Sequence, residues 1–330
     1  MKNSFAGRFS FGTLFLAVLS LPMCIPKTAV AQTSTTAHGI RTERDIQYVS
    51  AGDPAQTLDL YVPEQANGKP RPLIVFIHGG GWSGGSKRDY EGFALGVVRQ
   101  GYAAASVEYR FSQKAKFPAQ IQDCQAAIRW LRANSKKFNI DPKRFGALGA
   151  SAGGHLVALV GTSGGKHAFA TVGGNEKQSD RVQAVCDFFG PTDFNTVMSQ
   201  AAADKTKNIF NFNHPGDPYS DLIGAHMGED KAKCEAVSPV HYVSKDNPPF
   251  LILHGNVDAL VPYAQSIELR DLLLKHKVDV LLQTIPNAGH GGGGFDNPAV
   301  GKLILTFFDK QLKQMDVRVE VIPESLFTSK

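Results

Sequence analysis

Residues 149–153 read GASAG, a serine between two alanines with a glycine two positions away on either side. The run 145–148 before this box follows a turn signal and is typical of a short strand. The stretch after the box has apolar residues at the spacing of a buried helix face. A serine on such a strand-to-helix turn has its hydroxyl lifted out of the chain, beside the positive end of a helix dipole. The pattern predicts that Ser151 is a nucleophile.

A second segment that could take part in catalysis, HGGGW at 78–82, directly follows the apolar run 73–77. That run is typical of a strand buried on both faces. Glycines at the end of such a strand allow backbone N–H groups to face a cavity. The N–H groups of Gly80 and Gly81, with that of Ala152, are therefore predicted to bind an oxyanion. A phosphate-binding loop is excluded because the spacing of neither nucleotide-binding motif is present, and a linker is not expected after so apolar a strand.

Candidates for an acid and a base follow two later apolar runs. Asp258 comes after the run 250–253, and His290 comes after the run 280–285 in a glycine-rich turn. The order serine, acid, histidine is one of the known chain orders of a catalytic triad. In a parallel sheet, the loops that follow the strands meet at one edge. Asp193 is the rival acid, but it follows an earlier strand and is expected to cap a segment that covers the site.

The choice of histidine rests on local context, since the chain has ten histidines. His78 and His254 adjoin strand ends and are expected to make structural hydrogen bonds to their own loops. His155 lies in the helix after the serine and is expected to pack or cap there. The remaining six lie in polar stretches and are expected at the surface: His38, His167, His214, His226, His241 and His276. His290 is therefore the predicted base.

The elements that position these residues alternate along the chain. Besides the run before Ser151, strands are predicted at 46–49, 58–62, 73–77, 103–107, 184–189, 250–253 and 280–285, and helices at 121–134, 266–276 and 298–313. Helix 121–134 carries apolar residues at helical spacing, which indicates a core face. Such alternation predicts an α/β protein with a mostly parallel, doubly wound sheet and helices on both faces.

Two longer segments interrupt this alternation. Residues 194–237 are predicted to form a small lid insertion, because they are longer and richer in aromatic residues than a turn requires. These aromatic residues either stack on an aromatic acyl group or a sugar face, or anchor the segment to the sheet, and the sequence favours neither. They are Phe194, Phe210, Phe212 and Tyr219. Residues 162–181 are predicted to form a long loop that also shapes the pocket.

Four motifs together carry a resemblance: HGGGW at 78–82, GASAG at 149–153, the run 254–262 with its HG, Asp258 and VP, and GH at 289–290. The chain resembles the α/β-hydrolase esterases of the hormone-sensitive-lipase-like group. With VEYR at 107–110, FPAQ at 117–120 and AIRWLR at 127–132, it more narrowly resembles the bacterial bifunctional feruloyl and acetyl xylan esterase family, over about residues 45–313. The resemblance implies an α/β-hydrolase fold and acyl-ester substrates. One departure is Asn256, where such families often have another acid, and this leaves Asp258 as the acid of that loop.

Composition and charge agree with one enzyme domain. The 330 residues are 42% hydrophobic and 20% charged, and a chain of this length can bury one large core. The formal net charge of +5 includes Lys2, Arg8 and Lys27, which lie in an N-terminal stretch without acids. The remainder is close to neutral, which argues against a nucleic-acid partner.

Residues 1–31 are predicted to be a signal peptide. They have a positive start, an apolar stretch at 11–21 and a small-x-small cleavage site before Gln32. The apolar stretch is too short to cross a bilayer comfortably, and Met23 before Cys24 fits a lipid-attachment site poorly. Residues 32–330 are therefore predicted to be an exported hydrolase domain, periplasmic or secreted, without stable membrane association after cleavage. Its three cysteines are predicted to be buried thiols.

These features together predict an exported serine carboxylesterase that acts through an acyl-enzyme. Ser151 attacks the ester carbonyl, His290 takes and returns the proton, and Asp258 orients the imidazole. No cofactor or metal is expected. The substrate is a small or polysaccharide-linked ester, and the resemblance points to acetyl or feruloyl groups on plant cell-wall polysaccharide. The alternatives are a serine peptidase or amidase of related fold, and a non-catalytic binding module, against which the intact triad argues.

Overall fold

The computed structural model describes residues 32–65, 68–204, 212–214 and 216–328. The predicted signal peptide at 1–31 and one of the lid aromatics, Phe210, lie outside the described residues.

A single mixed sheet organises the described chain, and its nine strands lie in the order β1-β2-β3-β5-β4-β6-β7-β8-β9. The strands are Thr33–Ala37 (β1), Ile40–Gln47 (β2), Thr57–Pro63 (β3), Arg71–Ile77 (β4), Ala103–Val107 (β5), Ile140–Ala150 (β6), Ala184–Phe188 (β7), Phe250–Gly255 (β8) and Val280–Ile285 (β9). From β5 to β9 every neighbouring pair is parallel, whereas β1, β2 and β3 join by antiparallel pairing. The predicted, mostly parallel sheet is confirmed.

The central parallel strands are buried on both faces. Side chains from Leu73 to Ile77 on β4 and from Phe250 to Leu253 on β8 are 0–1% exposed, which explains their continuous apolar sequence. The antiparallel edge differs from the sequence prediction. The strand predicted at 46–49 is the end of β2, which begins at Ile40 and contains a bulge between Glu43 and Ile46.

Helices cover both faces of this sheet. They are Glu91–Arg99 (α1), Ala119–Ala133 (α2), Ala152–Ser163 (α3), Val197–Ala203 (α4), Pro218–Ile223 (α5), Lys231–Val237 (α6), Tyr263–Lys275 (α7), Pro298–Lys313 (α8) and Ser325–Thr328 (α9). One apolar core lies between the sheet and α2, α3 and α7, and a second lies between the sheet and α1 and α8. Among the described helices, none is long and apolar enough to cross a membrane.

The segment between β7 and β8 holds the three short helices α4, α5 and α6. Of its aromatic residues, Phe194 and Tyr219 are 1% exposed and pack on Trp82, so these two anchor the segment. Phe212 is half-buried against Tyr219. The function of the segment as a lid stays a prediction.

The predicted loop 162–181 begins later than expected, because α3 continues to Ser163. Its described hydrogen bonds include contacts with α2 and with the segment around Tyr242 and Asp246, and none of them reaches a residue of the predicted triad. Arg129 of α2 donates to the Val172 carbonyl at 2.8 Å, and Arg132 donates to the Arg181 carbonyl at 2.7 Å. The prediction that this loop shapes the pocket gains no support from these contacts.

Candidate active site

Ser151 lies on a tight turn between β6 and α3. Its backbone φ of 58° and ψ of −122° are strained for a residue with a side chain, and such strain is common at functional sites. The flanking glycines are required sterically: a Cβ at Gly149 would overlap the carbonyl oxygen of Gly153, and a Cβ at Gly153 would overlap that of Ile77. The GxSxG spacing therefore permits the turn, and the turn exposes the serine hydroxyl at the end of the strand.

The structure brings the three predicted triad residues together at the carboxyl ends of β6, β8 and β9. His290 Nε2 lies 2.8 Å from Ser151 Oγ, and His290 Nδ1 lies 2.7 Å from Asp258 Oδ2. A carboxylate oxygen can only accept a hydrogen bond, so Nδ1 donates to it. Nε2 of the neutral ring is then free to accept the serine proton. This arrangement can activate an alcohol as a nucleophile.

The Asp258 carboxylate is buried and has donors on both oxygens. Oδ1 accepts the N–H groups of Leu260 at 2.8 Å and Val261 at 3.0 Å. Burial works to raise the pKa of Asp258, but hydrogen bonds from His254 and His290 outweigh it and hold the pKa well below its usual range. Asp258 is therefore ionised at neutral pH and can stabilise a charged His290.

The rival acid, Asp193, lies elsewhere in the network. Its Oδ1 accepts the Asn195 N–H at 2.8 Å, and its own N–H donates to Gln265 at 2.8 Å. Asp193 thus shapes the turn before α4, as expected for a residue that caps this segment. The structure pairs His290 with Asp258 instead.

Two of the other histidines have the structural contacts that the sequence suggests. His78 Nδ1 lies 2.8 Å from the carbonyl oxygen of Gly79 in its own loop, and its Nε2 lies 2.9 Å from Glu108 Oε1. His254 contacts its own loop, with Nε2 3.1 Å from the Val261 carbonyl. A feature that the sequence analysis missed is that the same Nε2 lies 3.2 Å from Asp258 Oδ2. The four-residue separation of His254 and Asp258 gave no signal, because they lie on a strand end and a loop rather than on one helix.

The glycine-rich loop 78–82 lies against the serine turn. Gly80 and Gly81 have φ values of 101° and 58°, and a Cβ at Gly80 would overlap the Gly84 backbone. Within the described chain, the N–H groups of Gly80 and Gly81 donate to no acceptor. Ala152 is the first residue of α3, where N–H groups have no intrahelical acceptor. All three predicted oxyanion donors are thus available to a ligand.

Trp82 connects this loop to the helix behind the serine. Its Nε1–H donates to His155 Nδ1 at 3.1 Å, and His155 Nε2 donates to the Val237 carbonyl at 2.8 Å. Burial lowers the pKa of His155 to about 4, so its ring is neutral at neutral pH and Nδ1 can accept. His155 therefore packs behind the nucleophile as predicted, and it also links the glycine loop to α6.

Asp187 lies on β7 directly behind the serine turn. Its Oδ1 accepts the Gly190 N–H at 2.9 Å, whereas within the described chain its buried Oδ2 has no hydrogen-bond partner. Burial raises the pKa of Asp187 from 3.8 to about 7. The carboxyl group is therefore partly protonated at neutral pH.

We expect Asp187 to make the fold less stable as pH rises. The folded protein binds this proton more tightly than the unfolded chain does, so its stabilising contribution is full below the unfolded pKa of 3.8 and is lost as pH rises through about 7. In Asp187→Asn, the free energy of unfolding should no longer show the fall with rising pH that Asp187 causes, which amounts to at most about 4 kcal/mol. The measurement is the free energy of unfolding from urea titrations at about pH 5 and about pH 8, for wild type and variant. The matched control is the exposed Asp279→Asn; equal pH dependence in both variants would contradict the assignment.

No group of three or more potential metal ligands occurs within the described residues. The three cysteines of the described chain, Cys124, Cys186 and Cys234, are free and buried. Burial raises the pKa of each thiol. They are therefore not activated nucleophiles, and Ser151 is the nucleophile that the geometry favours.

The sheet order, the serine turn and the meeting of Ser151, Asp258 and His290 define an α/β-hydrolase fold with an esterase-like site. The chain matches the BD-FAE family over residues 58–273 and belongs to that family. The match includes the glycine loop, Ser151 and Asp258. His290 lies beyond the matched residues.

Solved structures and curated relatives agree with this family. The chain is 30% identical to a truncated carbohydrate esterase from gut microbiota, with a TM-score of 0.73 over 82% of this chain and 96% of that one. It is 28% identical to an acetyl ester-xyloside bifunctional hydrolase from Caldicellulosiruptor lactoaceticus, with a TM-score of 0.59 over 81% and 90%. It is also 28% identical to esterase LipC of Mycobacterium tuberculosis over 76% of this chain and 60% of LipC. The chain spans about half to three-fifths of the length of the mycobacterial relatives LipC, LipQ and LipM.

Proposed function

We propose that the protein is a serine carboxylesterase that uses Ser151, His290 and Asp258 as a catalytic triad. The observation that carries the proposal is the hydrogen-bonded chain from Ser151 Oγ through the His290 ring to Asp258 Oδ2, at 2.8 and 2.7 Å. Membership of the BD-FAE family and the similarity to named esterases support it. The fold alone would not support this activity, since one fold can host many different reactions.

In the first half of the reaction, Ser151 Oγ attacks the ester carbonyl carbon while His290 Nε2 takes the hydroxyl proton. The carbonyl π electrons move to the oxygen, and the N–H groups of Gly80, Gly81 and Ala152 bind the resulting oxyanion. The ionised Asp258 stabilises the imidazolium. Collapse of the tetrahedral intermediate breaks the bond to the alcohol, which leaves with the proton from His290 Nε2.

The second half repeats these steps with water. His290 Nε2 takes a proton from a water molecule as its oxygen attacks the acyl carbon on Ser151. The same backbone N–H groups hold the second oxyanion. When the intermediate collapses, the proton returns to Ser151 Oγ and the carboxylic acid is released. The ester and one water molecule are the only reactants that the two steps consume.

For the substrate, we propose acetyl or feruloyl esters of plant cell-wall polysaccharide. Two similar structures are named for carbohydrate-ester activity, a carbohydrate esterase and an acetyl ester-xyloside bifunctional hydrolase. The proposed export of the protein agrees with a polymer that cannot enter a cell. Export itself is supported by the sequence of residues 1–31, with its positive start and apolar stretch.

Export makes a prediction about processing. Intact-mass measurement of the protein secreted by its host should give a chain that begins at or near Gln32, because the small-x-small site precedes that residue. Cell fractionation should place this species outside the cytoplasmic membrane. A mature chain that begins with a lipid-modified Cys24 would contradict the prediction of a protein without a membrane anchor.

A substrate panel tests the proposed function. It comprises acetylated xylan, methyl ferulate, p-nitrophenyl esters of two and sixteen carbons, and a chromogenic peptide amide, each with wild type and Ser151→Ala. We expect kcat/KM for the acetyl and feruloyl esters to exceed that for the sixteen-carbon ester by about tenfold or more. Preference for the peptide would make the protein a peptidase, and preference for the long ester would make it a lipase. Hydrolysis of p-nitrophenyl acetate alone would contradict the polysaccharide substrate.

A further inference from the structure

Asp258 Oδ2 lies between two imidazole rings rather than one. His290 Nδ1 approaches it at 2.7 Å and His254 Nε2 at 3.2 Å. The two rings differ in their surroundings: the His254 side chain is fully buried on β8, whereas His290 is 14% exposed and faces Ser151. His254 has no contact with Ser151 or with the glycine loop among the described hydrogen bonds, so it touches the reaction only through Asp258.

The neighbours of His254 determine where its protons lie. Nε2 faces two acceptors, Asp258 Oδ2 and the Val261 carbonyl at 3.1 Å. Neither neighbour can donate in return when Asp258 is ionised, so Nε2 carries a proton whichever charge the ring has. On the other side, Nδ1 lies 2.7 Å from Ser266 Oγ of α7, which can donate or accept. The ring is thus held at both ends, with its Nε2–H shared between the Asp258 carboxylate and the Val261 carbonyl.

We infer that His254 is a positioning residue for the triad, which fixes the Asp258 carboxylate and shares its charge with His290. Two backbone N–H groups hold Oδ1 and the His254 N–H holds Oδ2, so the carboxylate cannot rotate away from His290. A second donor on Oδ2 also reduces the negative charge that Oδ2 presents to His290. This inference rests on the proposed function, since it assigns a role within the same triad.

Two other titratable side chains near this cluster are tyrosines. Tyr263 packs edge-on to the His254 ring, with centroids 5.5 Å apart. Tyr219 is subject to the field of Asp258, and burial, with that field, raises its pKa well above the usual value. The rings of Phe189 and His290 have centroids 4.5 Å apart, so the side chain that packs on the His290 ring is apolar. The ionised Asp258 carboxylate, 2.7 Å from Nδ1, is therefore the main charge that faces His290.

The experiment is the pH profile of kcat/KM for p-nitrophenyl acetate in three variants. His254→Leu removes the donor to Asp258, His254→Gln can keep an N–H donor near the position of Nε2, and Ser266→Ala removes the other partner of the ring while leaving Nε2–H in place. For His254→Leu we expect kcat to fall by about tenfold to a hundredfold with little change in KM. The midpoint of the acid limb should move up by several tenths of a pH unit, because the undivided charge of Asp258 then favours protonated His290. The other two variants should keep a midpoint close to that of wild type.

The inference is overturned if folded His254→Leu keeps the wild-type midpoint, or if His254→Gln shifts it as much as His254→Leu does. If His254→Leu does not fold, nitrogen-15 NMR of the histidine-labelled wild type decides the point: a protonated, hydrogen-bonded Nε2 is expected, and a bare Nε2 overturns the inference. Failure of the proposed function has a different signature. Hydrolysis that persists in Ser151→Ala would contradict the assignment of the triad. Hydrolysis that depends on Ser151, with an unchanged pH profile in His254→Leu, would contradict only the role of His254.

Discussion

Ser151→Ala is expected to lower kcat for p-nitrophenyl acetate by roughly 10⁴- to 10⁶-fold. The loss is this large because the triad acts as a unit: without Oγ, neither His290 nor Asp258 has a nucleophile to assist. The fold should be preserved. Alanine keeps the same Cβ at the strained φ of 58°, and the described hydrogen bond of the Ser151 side chain is the one to His290.

The measurement is initial-rate kinetics with the purified variant, together with circular dichroism and a thermal melt to establish that it is folded. Residual activity at the level of the oxyanion donors alone is compatible with the mechanism, since they stabilise the transition state without the triad. A folded Ser151→Ala variant with near-wild-type turnover would eliminate Ser151 as the nucleophile.

The second large effect is expected for Asp258→Asn, with a fall in kcat of about 10⁴-fold. An amide at this position has no negative charge, so it cannot stabilise the His290 imidazolium. Its NH₂ group can also donate to Nδ1, which would move the ring proton to Nε2 and block proton uptake from Ser151. The effect should appear in kcat at every pH where the wild type is active.

Asp193→Asn is the matched control for Asp258→Asn, since both substitutions replace a buried carboxyl group by an amide of the same size. The amide introduced by Asp193→Asn can still accept the Asn195 N–H through its carbonyl oxygen, which is the contact that Asp193 Oδ1 makes. Turnover in this variant should therefore stay within a few-fold of wild type. If Asp193→Asn were the more damaging of the two, the acid would have been assigned to the wrong residue.

The sequence predicted the central part of the fold and the placement of the triad because both depend on local patterns. Strands β4, β8 and β9 are apolar runs that end where the functional loops begin, and β9 has the predicted bounds, Val280–Ile285. Helix α8 also has its predicted bounds, since Asn297 Oδ1 accepts the Ala299 N–H at its start and its apolar face is regular. For β4 and β8, burial on both faces of a parallel sheet produces the continuous apolar run directly.

The elements that the sequence did not predict depend on tertiary pairing. Strand β1 is exposed along its whole length and is polar, so its strand conformation comes from pairing with β2 and leaves no apolar pattern. Helices α4, α5 and α6 have six or seven residues each, and helices so short are stabilised by packing rather than by propensity.

Side-chain direction was likewise beyond the sequence. His254 was assigned structural hydrogen bonds, and the structure adds the contact with Asp258 Oδ2 at 3.2 Å. The hydrogen bond from Trp82 to His155 joins residues 73 positions apart. In both cases the residue types allow the bond, but only the packed fold determines which partner each ring faces.

The central claim, that Ser151 forms a covalent acyl-enzyme, is tested most directly by covalent labelling. Wild type is incubated with an activated phosphonate ester, which a nucleophilic serine attacks at phosphorus with loss of the leaving group, and the adduct is located by intact-mass and peptide mass spectrometry. The mechanism predicts one adduct per chain on the peptide that contains Ser151, loss of hydrolysis in step with labelling, and no adduct on Ser151→Ala. An adduct on a different residue that abolishes activity, or full hydrolysis by chains already labelled at Ser151, would contradict the mechanism.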